Sequence, residues 1–298
     1  MVQSHLGEIA ALATAACWTI TAVAFESAGK KVGSLSVNII RLVIALLLIS
    51  GFNLFSRGMI LPFDASGSTW IWLTISGLIG FVIGDLFLFQ AYVQVGSRIS
   101  MLIMSTVPPI TAIAGFVLMG ERITLLGLAG MLITISGIAL VILTKSSTDK
   151  KIEFTHSIKG LIFAFIGALG QAFGLVFSKF GMGSYNPVAA TQIRIIAAIF
   201  GFAVVITVSK NWKNVYIALK DSKAMKNITI GSLFGPFIGV SLSLLAVQHA
   251  PTGIVSTIMS ITPILIIPVS ILFLKERVFP KEIIGAFISL IGISLLFL

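Results

Sequence analysis

The sequence predicts an all-α membrane protein of ten transmembrane helices, arranged as two five-helix repeats of inverted topology, and three observations carry that prediction. Its 298 residues are 57% hydrophobic and 10% charged, with a mean hydropathy of +1.10, whereas soluble domains run at about 25% charged. A water-soluble core cannot absorb that much apolar surface. Apolar runs of about 20 residues, enough to cross a hydrocarbon layer ~30 Å thick, follow one another with little interruption. Finally, the second half of the chain repeats the first at a nearly constant offset.

With Gly, Pro and charge clusters as punctuation, the spans fall near 7–25, 36–55, 69–92, 98–119, 124–144, 158–179, 187–208, 227–248, 252–274 and 281–298. The first run, Gly7–Phe25, has no basic residue before it and no small-residue cleavage site leading into a hydrophilic domain, so it reads as a first span and not a signal peptide. The most polar connection, Lys145–Ser157 (KSSTDKKIEFTHS), lies at the midpoint and reads as a linker between residues 1–144 and 158–298. The segment Lys210–Asn227 has room for a short amphipathic helix.

The repeat is specific. Met104-Ser105 aligns with Met259-Ser260 at an offset of 155, and the same offset pairs Pro108 with Pro263, Glu121-Arg122 with Glu276-Arg277, Gly130 with Gly285 and Gly137 with Gly292. Gly80, Gly84 and Ala91 match Gly235, Gly239 and Ala246, while at offset 153 Gly7 matches Gly160 and Arg41 matches Arg194. An odd number of helices per repeat makes the second repeat enter the membrane from the opposite side. Two inverted copies about a pseudo-two-fold axis can rock between equivalent conformations and expose one central site alternately to each side.

The formal charge of +10 is spread over short loops, which argues against nucleic acid and for topology. Fifteen Lys and Arg fall on one side of the predicted topology and three on the other, which by the positive-inside rule turns both termini outward. The lysine run of 210–226 fits the same bias and could also meet anionic head groups. Cys17 is the only cysteine, so an intramolecular disulfide and a cysteine-rich metal site are excluded. There is no Walker loop, dinucleotide fingerprint or HExxH pair, so no cofactor, resident metal or enzymatic activity is expected and any transport is secondary.

Pro108, Glu121, Gly130 and Gly137, repeated as Pro263, Glu276, Gly285 and Gly292, resemble the fourth and fifth helices of the EamA branch of the drug/metabolite transporter superfamily. Arg41 and Arg194 match the arginine that begins the family's second helix, and Pro187 keeps the proline often found before it. Trp18-Thr19 and Gly33-Ser34 depart from the family pattern. The resemblance covers essentially the whole chain. It implies a multi-pass protein of the cell membrane, monomeric or homodimeric, whose partners are the bilayer and a small-molecule substrate. Family substrates range over amino acids, sugars, cations and other metabolites. The small multidrug exporters use a glutamate in their first helix, where this chain has Ala13, which lowers the cation reading.

Asp85 is the deepest acid. An Asp at the centre of a membrane helix costs about 2.5–3.5 kcal/mol, so it should face a cavity or a partner. It reads either as an ion pair with Arg41 or as a substrate or proton-coupling group, protons being the candidate coupling ion. Arg194 reads as snorkelling to the interface, with an anionic substrate group as the alternative. Trp18, Gln90, Tyr92, Gln94, Gln171, Gln248 and His249 are the uncharged candidates, of which Trp18, Gln90, Gln94 and Gln171 join Asp85 and Arg194 in the expected substrate site. His249 reads as interfacial, and Glu8, Glu26, Glu121 and Glu276 as structural groups at helix ends or turns. Gly167, Gly170 and Gly174 share a packing face. Pro108, Pro109, Pro263 and Pro268 interrupt corresponding helices of both halves, a pointer to a central site.

These features favour a secondary transporter of a small polar metabolite, such as an amino acid, acting as exporter or exchanger. A membrane sensor or scaffold, and a flippase of lipid carriers, are the alternatives.

Overall fold

One glycine joins the first two helices. α1 (Leu6–Val32) passes to α2 (Ser34–Arg57) through Gly33 at φ 82°, ψ 147°, a backbone region that side chains with a Cβ avoid. α3 (Gly67–Gly77) continues through a π-helical turn, Leu78–Gly84, into α4 (Asp85–Ile103). Within α4, Gly96 at φ 81°, ψ 160° breaks the helix as Gly33 does. A 3-10 turn, Met104–Thr106, leads to α5 (Val107–Met119), followed by α6 (Leu125–Ile142).

After α6, β1 (Leu143–Lys145) pairs antiparallel with β2 (Ile152–Phe154), so strand pairing takes the end of the expected fifth span, 124–144, and part of the expected polar linker. α7 (Ile158–Met182) and α8 (Pro187–Val208) follow. α8 starts at its proline because Asn186 accepts from the Val188 and Ala189 amides, and proline has no amide hydrogen to leave unpaired. α9 (Trp212–Lys220) is the expected amphipathic helix. α10 (Ser222–Ser232), a second π-helical turn Leu233–Gly239 and α11 (Val240–His249) form the next continuous run. α12 (Thr252–Met259), α13 (Thr262–Val269), a π-helical turn Ser270–Leu274 and α14 (Pro280–Leu296) complete the chain.

This computed structural model describes residues 5–119, 124–145, 152–154, 156–250, 252–275 and 278–296. The expected turn residues Glu121, Arg122, Glu276 and Arg277, and most of the linker, lie outside them. Among the described residues, eight helical runs are long and apolar enough to cross a membrane, against the ten spans expected from sequence. One of the eight, Gly67–Ala114, is 48 residues long and contains the Gly96 break, while α14 has 17 residues. Large apolar side chains point outward, with Phe55 92%, Phe273 76% and Phe200 70% exposed, a surface suited to a hydrocarbon solvent.

Lipid tails give apolar helices no reason to associate, so close packing through small residues must hold the bundle. At the α6–α14 contact, a Cβ on Gly137 would lie 2.6 Å from the Gly285 carbonyl oxygen, and one on Gly292 would lie 2.6 Å from the Gly130 carbonyl oxygen. Between these two crossings, Thr134 donates to the Ser289 carbonyl (3.4 Å) and Ser289 donates to the Thr134 carbonyl (3.3 Å). The order of contacts makes the two helices antiparallel. Gly80 and Gly84 meet Gly174 and Gly170 of α7, and Gly235 and Gly239 meet Thr21 and Cys17 of α1.

Two helix ends differ from expectation. α1 runs on to Val32, because Glu26 and Lys30 pair one turn apart and nothing interrupts the helix before Gly33. α10 starts at Ser222 because the Asp221 side chain caps it by accepting from the Ala224 amide. Glu26, expected at an interface, is buried, and it accepts from the Ser97 amide at 2.6 Å. That amide opens the helical segment after Gly96 and has no partner within its own helix.

Candidate functional site

Two adjoining open cavities, about 720 and 530 Å³ when counted out through their mouths into solvent, lie among α1, α2, α4, α7, α8, α11 and the broken helices α4–α5 and α12–α13. They share Trp18, Phe81, Met101, Met104, Gln171 and Val240 as common wall. The larger extends past Ser105, Pro108, Leu175, Arg194, Ser256 and Pro263. The smaller extends past Thr21, Arg41, Asp85, Tyr92 and Pro236. Side by side on that shared wall, they are the two lobes of the chamber.

In the smaller lobe every charge is spoken for. Asp85 is the first residue after the π-helical turn Leu78–Gly84, whose wider ring shifts the side chains that follow it around the helix. Arg41 Nη2 pairs with Asp85 Oδ2. Gln171 Nε2 donates to Asp85 Oδ1 at 2.6 Å, Arg41 Nε donates to Asn38 Oδ1 at 3.1 Å, and Asn38 Nδ2 donates to the Asp85 carbonyl at 3.2 Å. The Arg41 guanidinium also lies over Phe89 (4.5 Å), Phe25 (5.6 Å) and Phe81 (5.7 Å). Aromatic faces favour a cation out of water, and both carboxylate oxygens of Asp85 have donors.

In the larger lobe Arg194 has no such company. Its guanidinium lies 4.5 Å from the Phe81 ring, its Nε is buried without a hydrogen-bond partner, and among the described residues no acid lies within ion-pair distance of it. Val240 stands 155 positions after Asp85, where an acid would complete a second pair. Interfacial snorkelling does not occur, since Arg194 is 4% exposed and lines the cavity. The reason is local: a Cβ on Gly77 would lie 2.9 Å from Arg194 Cα, so α3 closes against α8 there and the side chain turns into the chamber.

The EamA-like transporter family model matches the chain twice, over residues 5–143 and 158–298. The chain belongs to that family. This EamA-family chain is 22% identical over 255 residues to an uncharacterized transporter of Synechocystis sp., covering 82% of this chain and 76% of that protein. It is 27% identical over 124 residues to an uncharacterized transporter of Archaeoglobus fulgidus, covering 40% of this chain and 41% of the other. One solved crystal structure superposes with a TM-score of 0.64 at 14% identity, covering 97% of this chain and 95% of the other, which extends the likeness to the fold. The protein is therefore a multi-pass membrane transporter.

Of the residues expected in the substrate site of this EamA-family transporter, Trp18, Asp85, Gln171 and Arg194 line the chamber, as do Pro108 and Pro263. Each proline is the second residue of its half-helix, α5 or α13, just after an interrupted turn. Proline costs no hydrogen bond in that first turn. Gln90 lies elsewhere: it accepts from Ser34 Oγ at 2.7 Å and fixes the start of α2. Gln94 packs beside Gly160, where a Cβ would sit 3.1 Å from its own. Pro109 is buried outside the lining, and Pro268 is exposed on the outer surface. Gln248 donates to the Gly183 and Tyr185 carbonyls, and His249 is exposed.

Sequence reasoning passed over the serines and methionines of the lining, among them Ser105, Ser256, Ser260, Met104 and Met259. A signal was available, because Met104-Ser105 and Met259-Ser260 anchor the repeat just before the two prolines.

Proposed function

We propose that this transporter is a secondary carrier, an exporter or exchanger, which moves a small polar metabolite such as an amino acid by alternating access at the two-lobed chamber. On this reading the chain has ten spans in two repeats, 1–144 and 158–298, with Gly96 dividing the long third run and α14 as the tenth span. The supporting observation is that helix contacts recur in equivalent pairs. Thr134 meets Ser289, its own counterpart at offset 155. Gly80 and Gly84 meet Gly174 and Gly170 just as Gly235 and Gly239 meet Thr21 and Cys17, the residues 153 positions before those glycines. A pseudo-two-fold axis through the chamber would produce this pattern, and the antiparallel run of α6 against α14 supports inverted repeats.

Under this mechanism the two half-helix breaks supply bending points on opposite walls, and rocking of one repeat against the other opens the lobes in turn. Asp85 is a strut: its bonds to Arg41 and Gln171 tie α2, α4 and α7 together. A proton carrier must release such partners in each cycle.

The test is uptake into proteoliposomes of labelled amino acids and other metabolites by wild type and Asp85→Asn, with and without a pH gradient. Saturable flux is expected, retained in part by the variant and independent of the gradient. Flux driven by the gradient and abolished in Asp85→Asn would make Asp85 the coupling group. Absence of saturable flux for the whole panel would favour a sensor or a lipid-carrier flippase.

A further inference from the structure

We infer that Arg194 is the anchor for a single negative charge on the substrate, and that the transported molecule is an amphipathic monoanion with an apolar body, such as a monocarboxylate. The inference rests on the chamber being a transport site. Its starting point is charge balance: among the described residues lining the two lobes, the ionisable groups carrying charge at neutral pH are Arg41, Asp85 and Arg194. The first two cancel by direct contact. The chamber is left with one positive charge, buried within a membrane protein, where an uncompensated ion is strongly disfavoured.

Geometry points the same way. Arg194 is 4% exposed, and its Nε, together with Ser256 Oγ on the same lobe, is buried with no hydrogen-bond partner. Both groups line one lobe with a donor to offer, so an incoming acceptor would find unmet hydrogen-bonding capacity there. The first repeat shows what occupies the equivalent place: there Asp85 satisfies Arg41. In the second repeat Val240 supplies nothing, so the missing carboxylate must come from outside the chain. Trp18, Phe81, Met101, Met104, Leu175 and Met259 give the remaining wall an apolar surface suited to a hydrocarbon or aromatic body. This narrows the substrate class proposed above: a zwitterionic amino acid brings no net charge and leaves the excess unbalanced, whereas a monoanion removes it.

The test uses full-length protein in nanodiscs and three probes that keep one body while changing charge: indole-3-propionate, its amide and tryptamine, with 3-phenylpropionate and hexanoate series and L-tryptophan alongside. Binding is read from stabilisation against thermal unfolding, so it does not depend on flux. We expect at least one carboxylate to bind about tenfold or more tightly than its amide and amine, the ratio for one charge-assisted hydrogen bond. Arg194→Gln should lose that preference. Val240→Asp, which introduces an acid into the lobe that Arg194 lines at the position 155 after Asp85, should lose it too, and its fold is checked independently by a single cooperative thermal transition without probe.

The inference is overturned if no carboxylate in the panel stabilises the wild type more than its matched amide, or if Arg194→Gln and Val240→Asp keep the preference. Carboxylate binding without flux in proteoliposomes would support the anchor while removing the transport reading. Flux that ignores substrate charge would do the reverse.

Discussion

Arg41 and Arg194 occupy equivalent places in α2 and α8, two helices that pack on each other, and both stack on the same Phe81 ring. Around Arg41 the protein supplies a carboxylate, one amide and three aromatic faces. Around Arg194 it supplies one ring and leaves the Nε unmet. A single acid, present at position 85 and absent at 240, makes the difference. One scaffold used twice can thus turn the same side chain into a brace in one copy and a receptor in the other.

The largest effect should come from unpairing the brace. Asp85→Asn leaves Arg41 buried without its counter-ion, which costs about 3–5 kcal/mol. The thermal midpoint in detergent should fall well below that of the double variant Arg41→Met/Asp85→Leu, and a double variant no more stable than the single would break the comparison. Arg194→Met should act in the opposite sense. It removes a buried donor that is already unmet, with a gain of about 1–3 kcal/mol, whereas Arg41→Met must lower stability in the same assay.

Next comes the seam on which the two halves meet. Gly137→Val puts a side chain against the Gly285 carbonyl and should cost about 1–3 kcal/mol. Gly51→Ala, where an added Cβ meets nothing within 4 Å, should be neutral or slightly stabilising. Equal losses at both sites would remove the seam's special standing.

The smallest effect concerns Asp64, in the loop after α2. Desolvation would raise its carboxyl, but the Tyr185 hydroxyl at 2.9 Å and the Arg57 guanidinium outweigh it and hold the group below its ordinary value. A depressed folded value contributes stability above the unfolded value of about 3.9, and that contribution fades as pH falls through the folded one. Asp64→Asn should therefore flatten the acid limb of the midpoint-against-pH curve and slightly lower its plateau.

The helical membrane class was legible because lipid imposes long apolar runs and because Gly33, Gly96 and Pro187 mark the breaks in plain sight. The 187–208 helix matches its expected limits because proline and its asparagine cap are local signals. The π-helical turns Leu78–Gly84 and Leu233–Gly239 were not legible, since a wider ring needs no particular residue. Glu26 was misjudged because its amide partner lies 71 residues away. For Arg194 the snorkelling reading failed, while its place in the substrate-site list did not, because α3, which packs against α8 at Arg194, is more than a hundred residues earlier in the chain. Gln90 and Gln94 read as polar groups in need of company, and sequence could not say that Ser34 and the α7 surface provide it.

The Thr134–Ser289 contact also sets a schedule for biogenesis. These residues are 155 apart, and at about 5–20 residues per second of synthesis the ribosome needs roughly 8–30 s to pass from one to the other. Throughout that interval α6 is complete but its glycine face has no α14 to cover it. The growing chain must therefore shelter that face in the translocon, in lipid or against a chaperone until the last helix emerges.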